Sequence, residues 1–274
     1  MRITLLGTGT PIVEGMSCAS SILVETGATR IVVDAGRGVV TQLIAAGAHP
    51  REIDVVLITH HHHDHISSLG ELLMTAWHNG RTAPLHVYGP SGTRAVVTAL
   101  FEHVFARDIA FARFTEPDMP RIEDVVLAHD VTAGVVAGSI SAQFVDHGHS
   151  LGISRDDWPC LGYRIEADDR VLAISGDAVS CSGLDALARD AEVLVQCCYL
   201  AEAEITTPAF RQLADHVIAC SGEAGKIAAR NHAKRLVLTH IRPKSDAMMQ
   251  ALLDDVRRDF GEVVIGRELM VIEI

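Results

Sequence analysis

Residues 57–68 read LITHHHHDHISS, placing five histidines and one aspartate in the six positions 60–65. The apolar run before them, DVVLIT at 54–59, has the length and β-branched content of a strand, and a helical pattern resumes near Ile66. The cluster therefore belongs on a strand-to-helix loop, where rigid elements hold ligand-binding side chains. A purification tag would stand at a terminus and would not be broken by an acid. Imidazole and carboxylate together suit zinc, and also manganese or iron. His60 and His62 are two apart, so in an extended segment they point the same way, while His61 and His63 point elsewhere. Asp64 and His65 lie where the chain turns into the helix and can face a second centre. One metal would not need four ligands from a single loop, so the rest of the chain has to supply the remaining parts of a larger site.

The chain around this loop alternates short strands with helices. Strand patterns occur at 2–6, 21–25, 30–34, 54–59, 85–89, 140–145, 161–166, 170–175, 191–196, 235–240 and 268–274. Helical patterns lie at 38–47, 66–80, 91–105, 207–217, 222–232 and 245–258, with Pro208 in a first turn after Thr207. No linker, repeat or low-complexity tract divides them. The expectation is a single α/β domain over 1–274, with two sheets packed together and helices outside, because so many apolar strands need burial on both faces. Residues 107–139 are the least regular and read as an insertion or a lid.

Charge narrows the partners. The chain of 274 residues carries a formal net charge of −12 with neutral histidines, and only 4% aromatic residues. A general nucleic-acid binder would show a basic face and stacking platforms. The six cysteines form no C-x-x-C pair, and a chain this long needs no disulfide staples, which suits a reduced, cytoplasmic protein. The start, MRITLLGTGTP, makes a poor signal peptide, and no apolar run approaches the roughly 18 residues of a membrane span. GTGTP is not a phosphate loop, since no Lys-Ser/Thr follows; its glycines suit a tight turn that can line the active site.

THHHHDH resembles the signature of the metallo-β-lactamase superfamily. LLGTGTP, VVDAG at 32–36, GP at 89–90, LGYRIE, SGD at 175–177 and LTHI at 238–241 follow in the order of its ribonuclease Z-like branch, so the resemblance covers nearly the whole chain. That branch includes tRNA 3′-processing nucleases, arylsulfatases and small phosphodiesterases. The resemblance implies a four-layer αββα sandwich, two mixed sheets flanked by helices, with two zinc ions (or manganese or iron) at the sheet edge. It assigns His60, His62 and His147 to one metal, Asp64, His65 and His240 to the other, and Asp177 as the bridge. Asp34 would orient a ligand imidazole. His216 would act near the substrate as an acid or oxyanion stabiliser, and Asp64 would also take a proton. By spacing alone His149 rivals His147, Asp177 also reads as a turn residue, and His216 as a solvated helix histidine. Trp158 reads as a substrate contact or as core, and Arg37, Arg81 and Arg155 as anion holders or solvated charges.

The implied chemistry is hydrolysis by a metal-bridging hydroxide, with no covalent intermediate and no G-x-S-x-G elbow. Two substrate classes compete. The first is a small ester, sulfate ester, lactone or phosphodiester. The alternative is a ribonuclease Z-type tRNA 3′-endonuclease. The latter enzymes commonly carry a protruding tRNA-gripping arm between the third and fourth motifs, but here only 148–176 lie between His147 and Asp177, mostly as strand. That spacing and the acidic charge place the small-molecule substrate ahead of tRNA. A sensor or binding module on the same fold would usually have lost ligands, whereas all seven positions are filled. Homodimerisation is common in the branch.

Overall fold

Val55–Leu57 and Val193–Cys197 are buried at every position, which is the pattern of strands covered on both faces. The computed structural model describes residues 1–13, 15–27 and 29–274 and arranges them in two seven-stranded sheets. The strands are β1 Arg2–Gly7, β2 Ser21–Thr26, β3 Thr29–Val33, β4 Val55–Leu57, β5 Leu85–Gly89, β6 Val126–Asp130, β7 Gly134–Ala137, β8 Ile140–Phe144, β9 Leu161–Ala167, β10 Arg170–Ile174, β11 Val193–Cys197, β12 Leu236–Thr239, β13 Val263–Ile265 and β14 Val271–Glu273.

The first sheet runs β14-β1-β2-β3-β4-β5-β6 and the second β13-β12-β11-β10-β9-β8-β7. Both are mixed. β1, β2 and β3 pair antiparallel and β3 to β6 parallel; β7 to β10 pair antiparallel and β10 to β13 parallel. Each sheet thus changes pairing sense at one strand, β3 or β10.

Alternation of side chains along the strands makes three apolar layers. Val55 and Leu57 face the second sheet, meeting Leu161, Tyr163 and Val195. Val56 and Ile58 face outward under Leu72, Leu73 and Trp77 of the helix Leu69–His78. Leu194 and Leu238 face outward under Ile227 and Leu252 of the helices Ser221–Arg230 and Asp246–Arg257. This is the expected four-layer sandwich. The six cysteines are all free, and Cys197 and Cys198 are buried. Among the described residues, no helix is long and apolar enough to cross a membrane.

Three expectations need correction. Residues 107–139 are neither an insertion nor a lid. They form the helix Ala106–Thr115, a short helix Ile122–Val125, and the edge strands β6 and β7, one in each sheet. The segment is the crossover between the sheets, and its irregular pattern reflects short, half-exposed edge strands. β13, only three residues long, was also missing from the sequence pattern. Finally, the helical run near 66 begins at His63, so Asp64 and His65 stand on a first helical turn, Leu69–His78 following as a separate helix.

Candidate metal centre

The donor residues lie beyond strand ends on one edge of the sandwich, except Asp64 and His65, which stand on the helical turn His63–Ile66. His60 comes after β4, Asp177 after β10, His147 after β8 and His240 directly after β12. The two sheets are pinned together here: the Tyr163 hydroxyl donates to Ile58 O at 2.7 Å and Leu161 N to Thr59 O at 2.9 Å. The donor atoms fall into two groups, His60, His62, His147 and Asp177 in one and Asp64, His65 and His240 in the other, each with its atoms within 4.8 Å of one another.

In the first group the His62 Nδ1 lies 2.9 Å from His60 Nε2 and 3.2 Å from His147 Nε2. The far nitrogens of the two outer rings are occupied. His60 Nδ1 donates to Thr59 Oγ1 at 3.0 Å, and His147 Nδ1 to Val217 O at 2.6 Å. Both Nε2 atoms therefore turn lone pairs inward, as inferred from the network. The two separations from His62 Nδ1, 2.9 and 3.2 Å, are near the edge of a tetrahedral zinc site, roughly 3.3 Å for bonds of about 2.0–2.1 Å.

Asp177 joins the groups. Its Oδ2 is 4.0 Å from His60 Nε2 and 3.5 Å from His240 Nε2, and its Oδ1 is 3.6 Å from His65 Nε2. His240 Nε2 also meets Asp64 Oδ2 at 3.0 Å. Asp34 supports this group from behind. Its carboxylate accepts from His65 Nδ1 at 2.7 Å, from Thr59 N at 2.8 Å and from the Thr59 hydroxyl, so His65 turns Nε2 toward the site. Asp34 and His240 both have positive φ, 60° and 56°. Each is the first residue after its strand, and the left-handed backbone turns its side chain to the site at some cost in strain.

The electrostatics suit a cation. Burial, reinforced by neighbouring imidazoles, pushes His60 well below its ordinary value; burial and repulsion from His147 push His62 down to about 4. Burial also lowers His147. Burial opposes ionisation of Asp177, but His240 and His65 outweigh it and hold the carboxylate well below its usual range. For His65, burial opposes protonation while Asp34 and Asp177 outweigh it and raise the ring. Buried side-chain polar atoms without partners are rare in folded proteins. Among the described residues seven such atoms occur, and four of them, Asp64 Oδ1, His65 Nε2, Asp177 Oδ1 and His240 Nδ1, belong to these groups. The donor set therefore fits one or more divalent metal ions.

The chain belongs to the metallo-β-lactamase superfamily. The model of the β-lactamase superfamily domain matches residues 29–241. The chain is 35% identical over 252 residues, 89% of its length and 85% of the relative's, to a protein called ribonuclease Z from Mycobacterium sp. strain KMS. It is 33% identical to a ribonuclease Z from Mycobacterium bovis strain BCG / Pasteur 1173P2, covering 100% of this chain and 98% of that one. The crystal structure of human tRNase Z, short form, superposes with a TM-score of 0.74 at 22% identity, covering 100% of this chain and 99% of that one, a likeness of fold. Within the superfamily the chain falls in the ribonuclease Z-like branch and is a metal-dependent hydrolase.

The remaining sequence candidates sort by geometry. His149 does not join the donor groups. Its Nδ1 accepts from His147 N at 3.0 Å and its Nε2 donates to Trp158 O at 2.8 Å, so it braces the loop instead. His61 turns away to Thr93 Oγ1 at 2.9 Å. His216 is held by Ser150 Oγ at 2.9 Å, beside the site; its neighbour Val217, not its ring, lines the cavities there. Arg81 is buried on backbone carbonyls, Arg37 is held by Ser17 O, and Arg155 lies over Phe144 and 3.8 Å from Asp146, so these arginines brace loops. The GTGTP loop does reach the site through Pro11.

Two cavities flank the donors, sharing a wall of His62, His147 and Val217. One, about 160 Å³, is lined by Asp177, His240, Tyr199, Leu213, Ile218 and Pro11. The other, about 350 Å³, is lined by Gly148, Leu151, Ile153, Asp157 and Trp158. Sequence reasoning missed Tyr199, which follows β11 directly after Cys197-Cys198; no residue pattern marks it, and only the packing brings it beside His240.

Proposed function

We propose that this chain is a ribonuclease Z-type phosphodiesterase acting at the 3′ end of precursor tRNA. The observation that carries the reading is the 35% identity to a ribonuclease Z across 89% of the chain, with every donor position of both groups filled. It reverses the order suggested by charge and spacing, which put small-molecule hydrolysis first. His60, His62 and His147 would hold one metal, Asp64, His65 and His240 a second, with Asp177 between them. Such ions supply Lewis acidity and a water acidified toward neutrality. The chain's own part is to hold the donors in one protonation state and to position the scissile phosphate. Asp34 and Thr59 fix the ring orientations of His65 and His60, and Val217 O fixes His147. Asp64, with Oδ1 unpartnered, offers a proton acceptor at the site, and His216 stands one residue from Val217 as a donor toward the leaving group. The reading includes zinc as the ion, a cytoplasmic location and a homodimer.

A second reading keeps a small ester, sulfate ester, lactone or phosphodiester as substrate. It is favoured by residues 148–176, which form a short 3₁₀ turn, a loop and the β9–β10 hairpin within the second sheet, with no arm to grip tRNA. One assay separates the readings. Metal-loaded protein is given precursor tRNA with a 3′ trailer, bis-aryl phosphate, aryl sulfate and aryl ester in parallel. Trailer removal with submicromolar, salt-sensitive binding supports the first; turnover of a small substrate with no tRNA cleavage replaces it with the second.

A further inference from the structure

The larger cavity has a wall unlike the rest of the site. Leu151 and Ile153 are 43% and 45% exposed beside a cluster of imidazoles, and the Trp158 ring lies 4.7 Å from the His62 ring at 46°. The loop is built to hold this indole. Trp158 N donates to Ser154 O at 3.0 Å, its carbonyl accepts from His149, and Pro159 follows, which favours extended backbone at 158. Gly148 and Gly152, with φ of 88° and 96°, bracket the turn that carries Leu151. Part of the indole packs on the outer core of the second sheet and the rest faces the cavity.

Resting on the phosphodiesterase reading above, we propose that this cavity holds the nucleobase beside the scissile phosphate, stacked on Trp158. A phosphodiester has two ester arms, and the two cavities meet at the His62–His147 wall, so a phosphate at the donor groups can send one arm into each. At about 350 Å³ the larger cavity sits at the small end of ligand pockets, suiting one base and excluding a duplex. An indole face accepts any base by stacking. Leu151 and Ile153 alone would equally suit an acyl chain, but Asp157 shares the cavity and disfavours one. Ser154 Oγ occupies Asp157 Oδ2 at 2.6 Å, and the carboxylate keeps acceptor capacity for an exocyclic amino group.

The test uses zinc-loaded full-length protein, with adenosine 5′-monophosphate and ribose 5-phosphate as inhibitors of bis(p-nitrophenyl) phosphate hydrolysis. The nucleotide should inhibit about 5- to 150-fold more tightly than the sugar phosphate, the range set by one stacked base. Trp158→Ala should erase that difference, leaving bound metal and the sugar phosphate constant unchanged, and Trp158→Phe should restore most of it. The nucleotide should also quench tryptophan emission, because the other tryptophan, Trp77, is 1% exposed and cannot report. Equal inhibition by the two ligands overturns the proposal. So does a Trp158→Ala protein that loses metal and weakens both ligands alike, since Trp158 would then only prop His62. If no phosphodiester is cleaved yet the nucleotide alone quenches emission, the base site stands and the phosphodiesterase reading falls.

Discussion

Asp34→Asn tests how the metal centre is assembled, because it changes one atom and almost no volume. In the native site one carboxylate accepts from both Thr59 N and His65 Nδ1. An amide cannot do both. If its oxygen keeps the buried Thr59 N–H, its NH₂ faces His65 Nδ1, which must then carry the lone pair, and the ring proton moves to Nε2, the atom that faces Asp177. If the amide flips, Thr59 N–H loses its acceptor at a cost of about 1–3 kcal/mol. Loss of a partner that orients a ligand imidazole typically lowers metal affinity about 10- to 100-fold, or about 1.4–2.7 kcal/mol. At about 2–4 °C per kcal/mol for a domain near this size, zinc should raise Tm about 3–11 °C less in the variant than in the native protein. Melts of chelator-stripped and zinc-titrated samples, with affinity measured by dye competition, read both quantities. Native zinc affinity in a folded Asp34→Asn protein would refute the claim that Asp34 sets the His65 tautomer.

Other outcomes follow from the same geometry. Asp177→Ala and Asp64→Ala should each lose metal and most activity; full turnover by a metal-free variant of either, checked by elemental analysis, would end the metal reading. The metal-free protein should lose stability on acidification. His60, His62 and His147 are lowered by folding, so the unfolded chain binds more protons between about pH 6.5, the ordinary histidine value, and about pH 4, to which burial and His147 push His62. His65 is raised, and its contribution is complete below pH 6.5, so it does not oppose this fall. A Tm that is flat or climbs from pH 7 to 4.5 would contradict the burial of neutral imidazoles. Gly36→Ala should cost about 1–3 kcal/mol or more, since a Cβ there would come within 2.3 Å of Asp64 O and 2.8 Å of Ser20 O; an unchanged urea midpoint would show that the loops yield.

How much of this was legible in the residues differs by element. Long apolar strands such as 21–25 and 161–166 were readable because burial on both faces leaves few polar positions. VLAHD (126–130) and GVVA (134–137) were not, because an edge strand is half solvated and mixes its pattern. His60, His62, Asp64 and His65 were visible through local crowding. Asp34 and Asp177 were each one carboxylate at a strand end, named only through family resemblance.

Taken alone, the sequence determined that a metal-type donor loop joins a strand to a helix, and that the chain is α/β with two layers of apolar strands. These are local properties, set by periodicity and by the chemistry of neighbouring residues. The tertiary structure decided which distant side chains meet that loop. His147 and His149 are two residues apart, yet only His147 turns its ring to His62, because Val217 O takes its other nitrogen while Trp158 O takes that of His149. No rule of spacing decides between two such rings. The choice rests on hydrogen-bond partners that come from segments 9 and 70 residues away and meet these rings only once the segments that join the strands of the second sheet have folded against one another.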